Sequence, residues 1–279
     1  MLACAAAAGR GDAILLPDPG YPDYPSGVAL AGATAGALPL EASAGWQPDF
    51  DAVGGERPAA VWLNYPSNPC AVGEHTGTFE RAVGWCRERD AWLIHDLAYG
   101  FLAFDGRRAR SVLEADGARE CALELWSPSK IYGMAGWRVG FAVGNAELVS
   151  RIQTLLDHTA AGVFTALQRG LAAALRSDQS DVAERREVYR ARRDLLVGTL
   201  RAAGAQIDTP EGSFYAWWQL PDGLTPERLI ADARVGVAPG EGFGERGAGW
   251  ARLSLATPDA DLAEAGERLA AVIEGTISR

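Results

Sequence analysis

The segment from Ser127 to Phe141 combines one lysine, Lys130, with hydroxyl side chains, several glycines and an arginine, Arg138, eight residues further along. An amine becomes a nucleophile when burial or a neighbouring cation lowers its pKa, and lysine undergoes this change readily while arginine stays charged. The segment therefore predicts a lysine that forms a Schiff base beside a bound phosphate. A Ser-x-Ser-Lys string by itself is more often a solvated surface loop, so the rest of the chain decides between the two.

Polar residues follow two further apolar runs. Asn68 comes shortly after the run 60–63, and Asp96 and Tyr99 come directly after the run 92–94. In open α/β sheets, ligands bind outside the carboxyl ends of the strands. A carboxylate there can keep the ring nitrogen of an aromatic heterocycle protonated, so that the ring accepts the charge of a carbanion. Taken singly, these residues also fit a helix cap, a half-buried tyrosine and an Asn-Pro turn.

The apolar runs alternate with helical patterns, which favours an α/β fold with a mostly parallel sheet covered by helices. We expect strands near 13–16, 60–63, 92–94, 122–126 and 139–143, and a helix over 78–89. The chain from 147 to about 200 is strongly helical, with breaks near Gly162 and at 177–180. A smaller α+β unit follows, so we predict a cofactor-binding domain over 1–158, and a connecting helix with a small C-terminal domain over 159–279.

Charge and composition exclude several classes of partner. The 279 residues carry a formal net charge of −10, which repels nucleic acid and anionic lipid. We interpret the arginine-rich run 185–193 as the solvated face of a helix. No stretch approaches the roughly 20 apolar residues of a membrane span. The four cysteines and three histidines show no metal-ligand spacing, and the cysteine pattern is typical of the reducing cytoplasm.

A glycine pattern, G-x-G-x-x-G, occurs at 242–247. In dinucleotide-binding proteins this pattern follows a strand and opens a helix, whereas here a strand-like segment, 250–256, comes after it. We therefore expect a loop and no nucleotide site at this position.

Four motifs follow one another along the chain: Pro17-Asp-Pro-Gly-Tyr21-Pro-Asp-Tyr24, Asn64-Tyr-Pro-Ser-Asn68-Pro69, Asp96-Leu-Ala-Tyr99 and Ser127-Pro-Ser129-Lys130. An arginine segment, Gly249-Trp-Ala-Arg252, lies near the end. With these motifs in this order, the chain resembles the class I/II aminotransferases of fold type I, which depend on pyridoxal 5′-phosphate. The resemblance covers essentially the whole chain, and its details are most similar to bacterial LL-diaminopimelate and methionine-salvage aminotransferases.

The resemblance implies a role for each residue around the cofactor ring. Lys130 is expected to form the Schiff base with the cofactor and to move the proton during the reaction. Asp96 is expected to pair with the pyridinium nitrogen, while Tyr99 and Asn68 donate to the phenolic oxygen. Tyr21 is expected to stack on the face of the ring.

The resemblance also implies the phosphate and substrate contacts. Ser127 and Arg138, with Ser129 as a weaker candidate, are expected to hold the phosphate. Arg252, assisted by Asn68, is expected to bind the α-carboxylate of the substrate, because a guanidinium supplies two parallel charge-assisted hydrogen bonds. The implied activity is transfer of an amino group between an amino acid and a 2-oxo acid, by a homodimer if a full-length form exists.

The chain departs from the family pattern at its beginning. The family's Gly-Ser/Thr loop, which binds phosphate at a helix N-terminus, is expected to precede the segment that aligns with residues 1–8. Two explanations stay open: an incomplete product of an active enzyme, or a short chain of weak activity. A β-lyase or decarboxylase on the same fold, and a cofactor-binding module without turnover, are the alternative functions.

Overall fold

The larger sheet of the computed structural model, which describes residues 1–54 and 57–277, has seven strands. Their order is β3-β2-β1-β4-β5-β6-β7. Strands β1, β2, β4, β5 and β6 run parallel, whereas β3 and β7 are antiparallel to their neighbours. The strands are β1 Ala13–Asp18, β2 Thr34–Glu41, β3 Gln47–Pro48, β4 Ala60–Asn64, β5 Trp92–Asp96, β6 Ala122–Trp126 and β7 Phe141–Gly144.

The central strand β4 is buried along its whole length, which explains its uninterrupted run of apolar residues. Successive side chains point to opposite faces of the sheet. Leu63 accordingly packs in one core with Phe79, while Trp62 packs in a second core with Ile14 and Leu148 on the other face. Burial of each such side chain stabilises the fold by about 1.5–3 kcal/mol. The predicted α/β fold with a mostly parallel sheet is confirmed.

Helices cover both faces of this sheet and lead away from it. The sequence breaks at Gly162 and 177–180 separate three consecutive helices as predicted, and Gly162 has a φ of 88°. The helices of this part are α1 Leu2–Ala7, α2 Tyr24–Leu30, α3 Thr78–Glu88, α4 Ala118–Cys121, α5 Pro128–Ile131, α6 Ala146–Ala160, α7 Thr165–Arg176 and α8 Ser180–Ala202. Within the described ranges, none of these helices, nor any later one, has the length and apolar character needed to cross a membrane.

A second, three-stranded sheet of order β8-β10-β9 follows. Its core joins Trp218 and Leu253 to Leu200 of α8. Residues 205–208 form no strand of their own, and Ile207 makes a single bridge to Trp218. The remaining elements are β8 Tyr215–Gln219, α9 Pro226–Arg228, β9 Ala238–Pro239, β10 Trp250–Ser254 and α10 Asp259–Ile277.

The glycine pattern at 242–247 forms two short 3-10 turns, as the lack of a following helix predicts. A Cβ atom at Gly244 would lie 2.1 Å from Oδ1 of Asp18, and the φ of Gly244 is 131°. The Arg246 amide donates to the same oxygen at 3.1 Å. The glycine therefore allows this loop to press against the carboxyl end of β1.

The interpretation of 185–193 as a solvated face is wrong for Arg193, whose side chain is only 4% exposed. Its guanidinium donates to both carboxylate oxygens of Asp105, at 2.6 and 2.9 Å, and to the Pro210 carbonyl at 3.1 Å. It also lies 5.0 Å from the ring centroid of Phe104. Arg193 thus ties α8 to the chain after β5, a long-range contact that helical periodicity does not reveal.

We expect Arg193→Ala to lower the free energy of unfolding by about 2 kcal/mol, because it removes charge-assisted hydrogen bonds to Asp105, Pro210 and Asp194 and the packing on Phe104. Arg190→Ala, which removes only exposed ion pairs on the same helix, should cost less than about 1 kcal/mol. Denaturant titration measures both values. Equal effects of the two substitutions would contradict this role of Arg193.

Candidate active site

The site lies at the edge where the parallel strands β4, β5 and β6 end. The register pairs Asn64 with Asp96, the last residues of β4 and β5. Strand β6 ends beside them at Trp126, and Ser127 follows. Parallel pairing therefore brings three of the polar segments that the sequence singles out to the same edge.

Asp96 is the acidic centre of this edge. Its Oδ2 accepts a hydrogen bond from the hydroxyl of Tyr24 at 2.8 Å, and its Oδ1 accepts one from the Ala98 amide at 3.0 Å. Burial raises the pKa of Asp96 above its ordinary value, while these two donors and the neighbouring His95 oppose the rise. A carboxylate accepts about four hydrogen bonds, so Asp96 retains capacity for a further, positively charged donor.

Sequence reasoning missed the contact of Tyr24 with Asp96, although Tyr24 closes the motif that contains Tyr21. Burial, followed by the charge of Asp96, raises the pKa of Tyr24 well above its ordinary value, so that it stays a donor. The signal that could have found it is a tyrosine three residues after Tyr21, in the first turn of α2.

Asn68 and Arg252 join the two sheets. Asn68 is buried, and its backbone N–H donates to Oδ1 of Asn64 at 2.8 Å. Its Oδ1 accepts a hydrogen bond from Nη1 of Arg252 on β10 at 2.7 Å. The Arg252 guanidinium lies 4.0 Å from the ring centroid of Tyr215 and 4.7 Å from that of Phe243. No acidic side chain of the described residues forms an ion pair with Arg252, so its other donors can bind a carboxylate.

Tyr99 is buried close to Asp96 and to the second sheet. Its ring lies 5.4 Å from that of Phe214 and 6.1 Å from that of Tyr215, both in edge-on geometry. Burial raises the pKa of Tyr99, and the nearby Tyr215 and Asp96 add to the rise. The phenol therefore stays protonated and can donate a hydrogen bond.

Lys130 lies in the short helix α5, and its Nζ is 5.6 Å from the ring centroid of Phe214. In the described part of the chain, no side chain forms an ion pair or a hydrogen bond with this amine. Since Phe214 also contacts Tyr99, the lysine and the Asp96 edge share a neighbouring ring. The structure thus places Lys130 beside the second sheet, with an amine not held by a carboxylate.

The expected phosphate ligands are less closely assembled. Ser127 precedes α5, and its side chain makes no capping hydrogen bond to the helix. Ser129 is half-buried, whereas Arg138 is exposed. The Arg138 guanidinium donates to the Ala135 carbonyl at 3.1 Å, and the φ of Arg138 is 51°. No hydrogen bond within the described ranges joins Arg138 to either serine.

Tyr21 is 39% exposed and packs edge-on against Tyr24, with ring centroids 5.4 Å apart. Its hydroxyl donates to Asp23 at 2.6 Å, and this bond, together with burial, raises the pKa of Tyr21 to about 12. Both tyrosines, with Trp62 and Trp126, line an open cavity of about 1010 Å³. Aromatic rings therefore surround an accessible space beside Tyr24, the hydrogen-bond partner of Asp96.

The family model for aminotransferases of class I and II matches residues 1–269. The chain belongs to this family. It is 41% identical over 266 residues to the L-glutamine–4-(methylsulfanyl)-2-oxobutanoate aminotransferase of Bacillus subtilis, with 93% of this chain and 67% of the relative covered. The LL-diaminopimelate aminotransferase of Desulforudis audaxviator is also 41% identical over 266 residues, with 93% and 68% covered. The chain thus spans about two thirds of the length of these relatives.

Solved structures agree with this assignment. Substrate-bound BacF of Bacillus subtilis superposes with a TM-score of 0.90 at 32% identity, covering 98% of this chain and 71% of that one. An aminotransferase of Staphylococcus aureus has a TM-score of 0.91 at 35% identity, with 98% and 74% covered. The protein is therefore an aminotransferase of fold type I, and the cofactor of its family is pyridoxal 5′-phosphate.

The residues at the edge fit this cofactor. Asp96 has spare acceptor capacity for a protonated ring nitrogen, and Tyr99 is a buried donor. Lys130 supplies an amine that no carboxylate of the described chain holds. The donor set matches what a pyridine ring with an aldehyde and a phenolic oxygen requires.

We expect Tyr24→Phe to weaken cofactor binding most at acid pH. Loss of the hydroxyl raises the pKa of Asp96 further. The carboxylate of the variant is therefore protonated at a higher pH than that of the wild type. A neutral Asp96 no longer favours a protonated ring nitrogen, and binding should be about tenfold weaker at the acid end of the range. Titration of the cofactor at a series of pH values measures this shift.

The matched control for this experiment is Tyr132→Phe, which removes a hydroxyl that donates to Gln179 at 2.8 Å. Its pH dependence should follow that of the wild type. A Tyr24→Phe profile that coincides with the wild-type profile would show that the hydroxyl does not influence Asp96.

Proposed function

We propose that Lys130 holds the pyridoxal phosphate covalently and takes part in amino-group transfer. The observation that carries this proposal is compositional: lysine and arginine number 26 together, and Lys130 is the only lysine. Arginine cannot replace lysine where an uncharged amine must attack a carbonyl carbon. A chain that otherwise uses arginine for its basic residues thus carries its one lysine next to Phe214, whose ring also packs against Tyr99.

The cofactor, when bound, supplies a conjugated ring that accepts the electron pair of a substrate carbanion. Asp96 keeps the ring nitrogen protonated, since it is an acidic acceptor at the edge with spare capacity. Tyr99 and Asn68 donate to the phenolic oxygen, and Tyr21 covers one face of the ring. Lys130 moves a proton at the α-carbon of the substrate.

Ser127, Ser129 and Arg138 hold the phosphate group. The hydroxyl of Ser127 makes no capping bond to α5, and this leaves it available to an anion. Arg138 must turn away from the Ala135 carbonyl in order to reach that anion. The proposal rests on the proximity of the three residues along the chain and on the match to the family motif.

The substrates are an α-amino acid and a 2-oxo acid. Arg252 binds their α-carboxylate, because its guanidinium is held between two aromatic rings and retains free donors. Asn68 orients the guanidinium through its 2.7 Å hydrogen bond. The aminotransferase names of the relatives support amino-group transfer over β-elimination, decarboxylation or cofactor binding without turnover.

The proposal also covers the domain organisation, the oligomeric state and the cellular location of the protein. Residues 1–158 form the cofactor-binding domain, and residues 159–279 form the connecting helix and the small domain. The protein acts in amino acid biosynthesis in the cytoplasm, as a homodimer. The buried, unpaired cysteines support the cytoplasmic setting, because thiols stay reduced there.

Reduction with borohydride in the presence of pyridoxal phosphate should attach the cofactor permanently to the peptide that contains Lys130, as mass spectrometry would show. Lys130→Arg leaves no ε-amino group in that peptide, so the label should disappear from it. Turnover should fall by at least about a thousandfold. Retention of transaminase activity in Lys130→Arg would refute the proposal.

We expect Arg252→Lys to raise KM for the amino donor by about tenfold or more. Lysine offers a point charge in place of two parallel donors and loses the stacking between the two rings. Cofactor affinity should stay within about threefold of the wild type, because Arg252 binds the substrate. Steady-state kinetics and cofactor titration separate the two effects, and a loss confined to cofactor binding would contradict this role.

A further inference from the structure

His95 precedes Asp96 and lies under the site with its side chain 0% exposed. Its Nδ1 lies 3.1 Å from Oε2 of Glu124, and its Nε2 lies 3.1 Å from the carbonyl oxygen of Tyr65. Its ring packs against that of Phe79 in edge-to-face geometry, with centroids 4.8 Å apart. Both ring nitrogens thus face oxygen atoms that accept hydrogen bonds.

Every other partner of Glu124 is a donor. The hydroxyl of Ser111 lies 2.8 Å from Oε2, and the Val112 amide lies 3.0 Å from the same oxygen. The indole of Trp126 donates to Oε1 at 2.8 Å. Burial alone would raise the pKa of Glu124, but hydrogen bonds from His95, Ser111 and Trp126 and the charge of His95 lower it overall. Glu124 is therefore an ionised carboxylate that accepts from all sides.

These contacts determine the protonation of His95. A neutral imidazole would place one nitrogen lone pair against an oxygen lone pair, in a position that water does not reach. An imidazolium donates from both nitrogens, and the carboxylate of Glu124 balances its charge. A buried charge pair needs such complete hydrogen bonding to be tolerated.

The carbonyl oxygen that His95 contacts lies at the start of the loop 66–71, which carries Asn68. That loop is closed by hydrogen bonds from the Ser67 amide to the Val72 carbonyl at 2.9 Å and from the Val72 amide to the Ser67 hydroxyl at 3.1 Å. Asn68 in turn accepts a hydrogen bond from Arg252. A continuous path of hydrogen bonds and backbone thus runs from His95 to the guanidinium of Arg252.

We propose that His95 is a positioning residue of this enzyme: as a buried imidazolium paired with Glu124, it fixes the Tyr65 carbonyl and thereby the loop that brings Asn68 to Arg252. This inference rests on the proposed role of Arg252 in binding the substrate carboxylate. His95 itself does not touch the substrate or the cofactor.

Two substitutions separate the two hydrogen bonds of His95. The amide nitrogen of an asparagine lies as many bonds from Cβ as Nδ1 of histidine, and that of a glutamine lies as many as Nε2. His95→Asn therefore keeps a donor for Glu124, whereas His95→Gln keeps a donor for the Tyr65 carbonyl. Both variants are uncharged, so a difference between them reports which bond positions the loop.

The first measurement is hydrogen–deuterium exchange of the peptide that spans residues 64–72, in the cofactor-bound protein. In His95→Asn we expect exchange to be about tenfold faster, the effect of losing one hydrogen bond to a charged donor. In His95→Gln it should stay within about threefold of the wild type. Glu264→Gln, which removes an exposed ion pair on α10, is the control and should leave this peptide unchanged.

The second measurement is nitrogen-15 NMR of the histidine rings. The chain has three histidines, and the spectrum of His95→Gln identifies the signals of His95 by their absence. Both ring nitrogens of His95 should carry protons at pH 7. A single protonated nitrogen, or equal exchange rates in the two His95 variants, would overturn the proposal.

The third measurement, steady-state kinetics, tests whether the position of the loop affects substrate binding. With L-glutamine, L-glutamate and L-methionine as amino donors, His95→Asn should raise KM by about tenfold or more and change kcat less, because a displaced Asn68 misplaces the guanidinium. His95→Gln should recover most of this loss. If the wild type transfers no amino group from these donors, that result counts against the proposed function, while exchange and NMR still decide the role of His95.

Discussion

The parallel register of β4 and β5 is the constraint on which the site depends. Since it pairs Asn64 with Asp96, the loops that follow both strands emerge at the same edge of the sheet. The Asn64 side chain reinforces this register, because it donates to the Asp96 carbonyl at 2.8 Å and accepts from the Asn68 amide. A slip by one residue would turn these side chains to the opposite face.

Two acidic side chains near this edge, Asp96 and Glu124, have different electrostatic surroundings. Asp96 accepts hydrogen bonds from two neutral donors, which oppose the rise in its pKa that burial causes. Glu124, one strand away, is fully buried and satisfied by its donors, so it has no capacity left for a ligand. Two neighbouring acidic side chains thus differ, because Asp96 keeps acceptor capacity at the edge of the sheet and Glu124 is fully hydrogen-bonded inside it.

Much of the fold could be predicted from sequence because long apolar runs mark the buried strands. The run 122–126 corresponds to β6 residue for residue, and the breaks in the long helical segment fall where predicted. Strand β2 was missed because its small residues and its proline at position 39 give no strong strand pattern. Strand β9 has two residues, too few for any periodicity.

The sequence motifs predict which residues form the candidate site, but not all of the contacts between them. The motifs named Asp96, Asn68 and Arg252, and the family resemblance implied that Asn68 assists Arg252. The direct hydrogen bond between these two side chains, which lie 184 residues apart in the chain, is visible only in the structure. The roles of Tyr24 and Arg193 also depend on long-range contacts. Such pairs are determined by the packing of sheets and helices, and local sequence carries no trace of them.

The single lysine has a consequence for regulation. Acetylation, methylation and ubiquitination all modify the ε-amino group of lysine. Within these 279 residues, each of them can reach only position 130. A lysine that carries an acyl group or a ubiquitin no longer offers a free amine. Either modification in this part of the protein would therefore also prevent Lys130 from reacting with the cofactor.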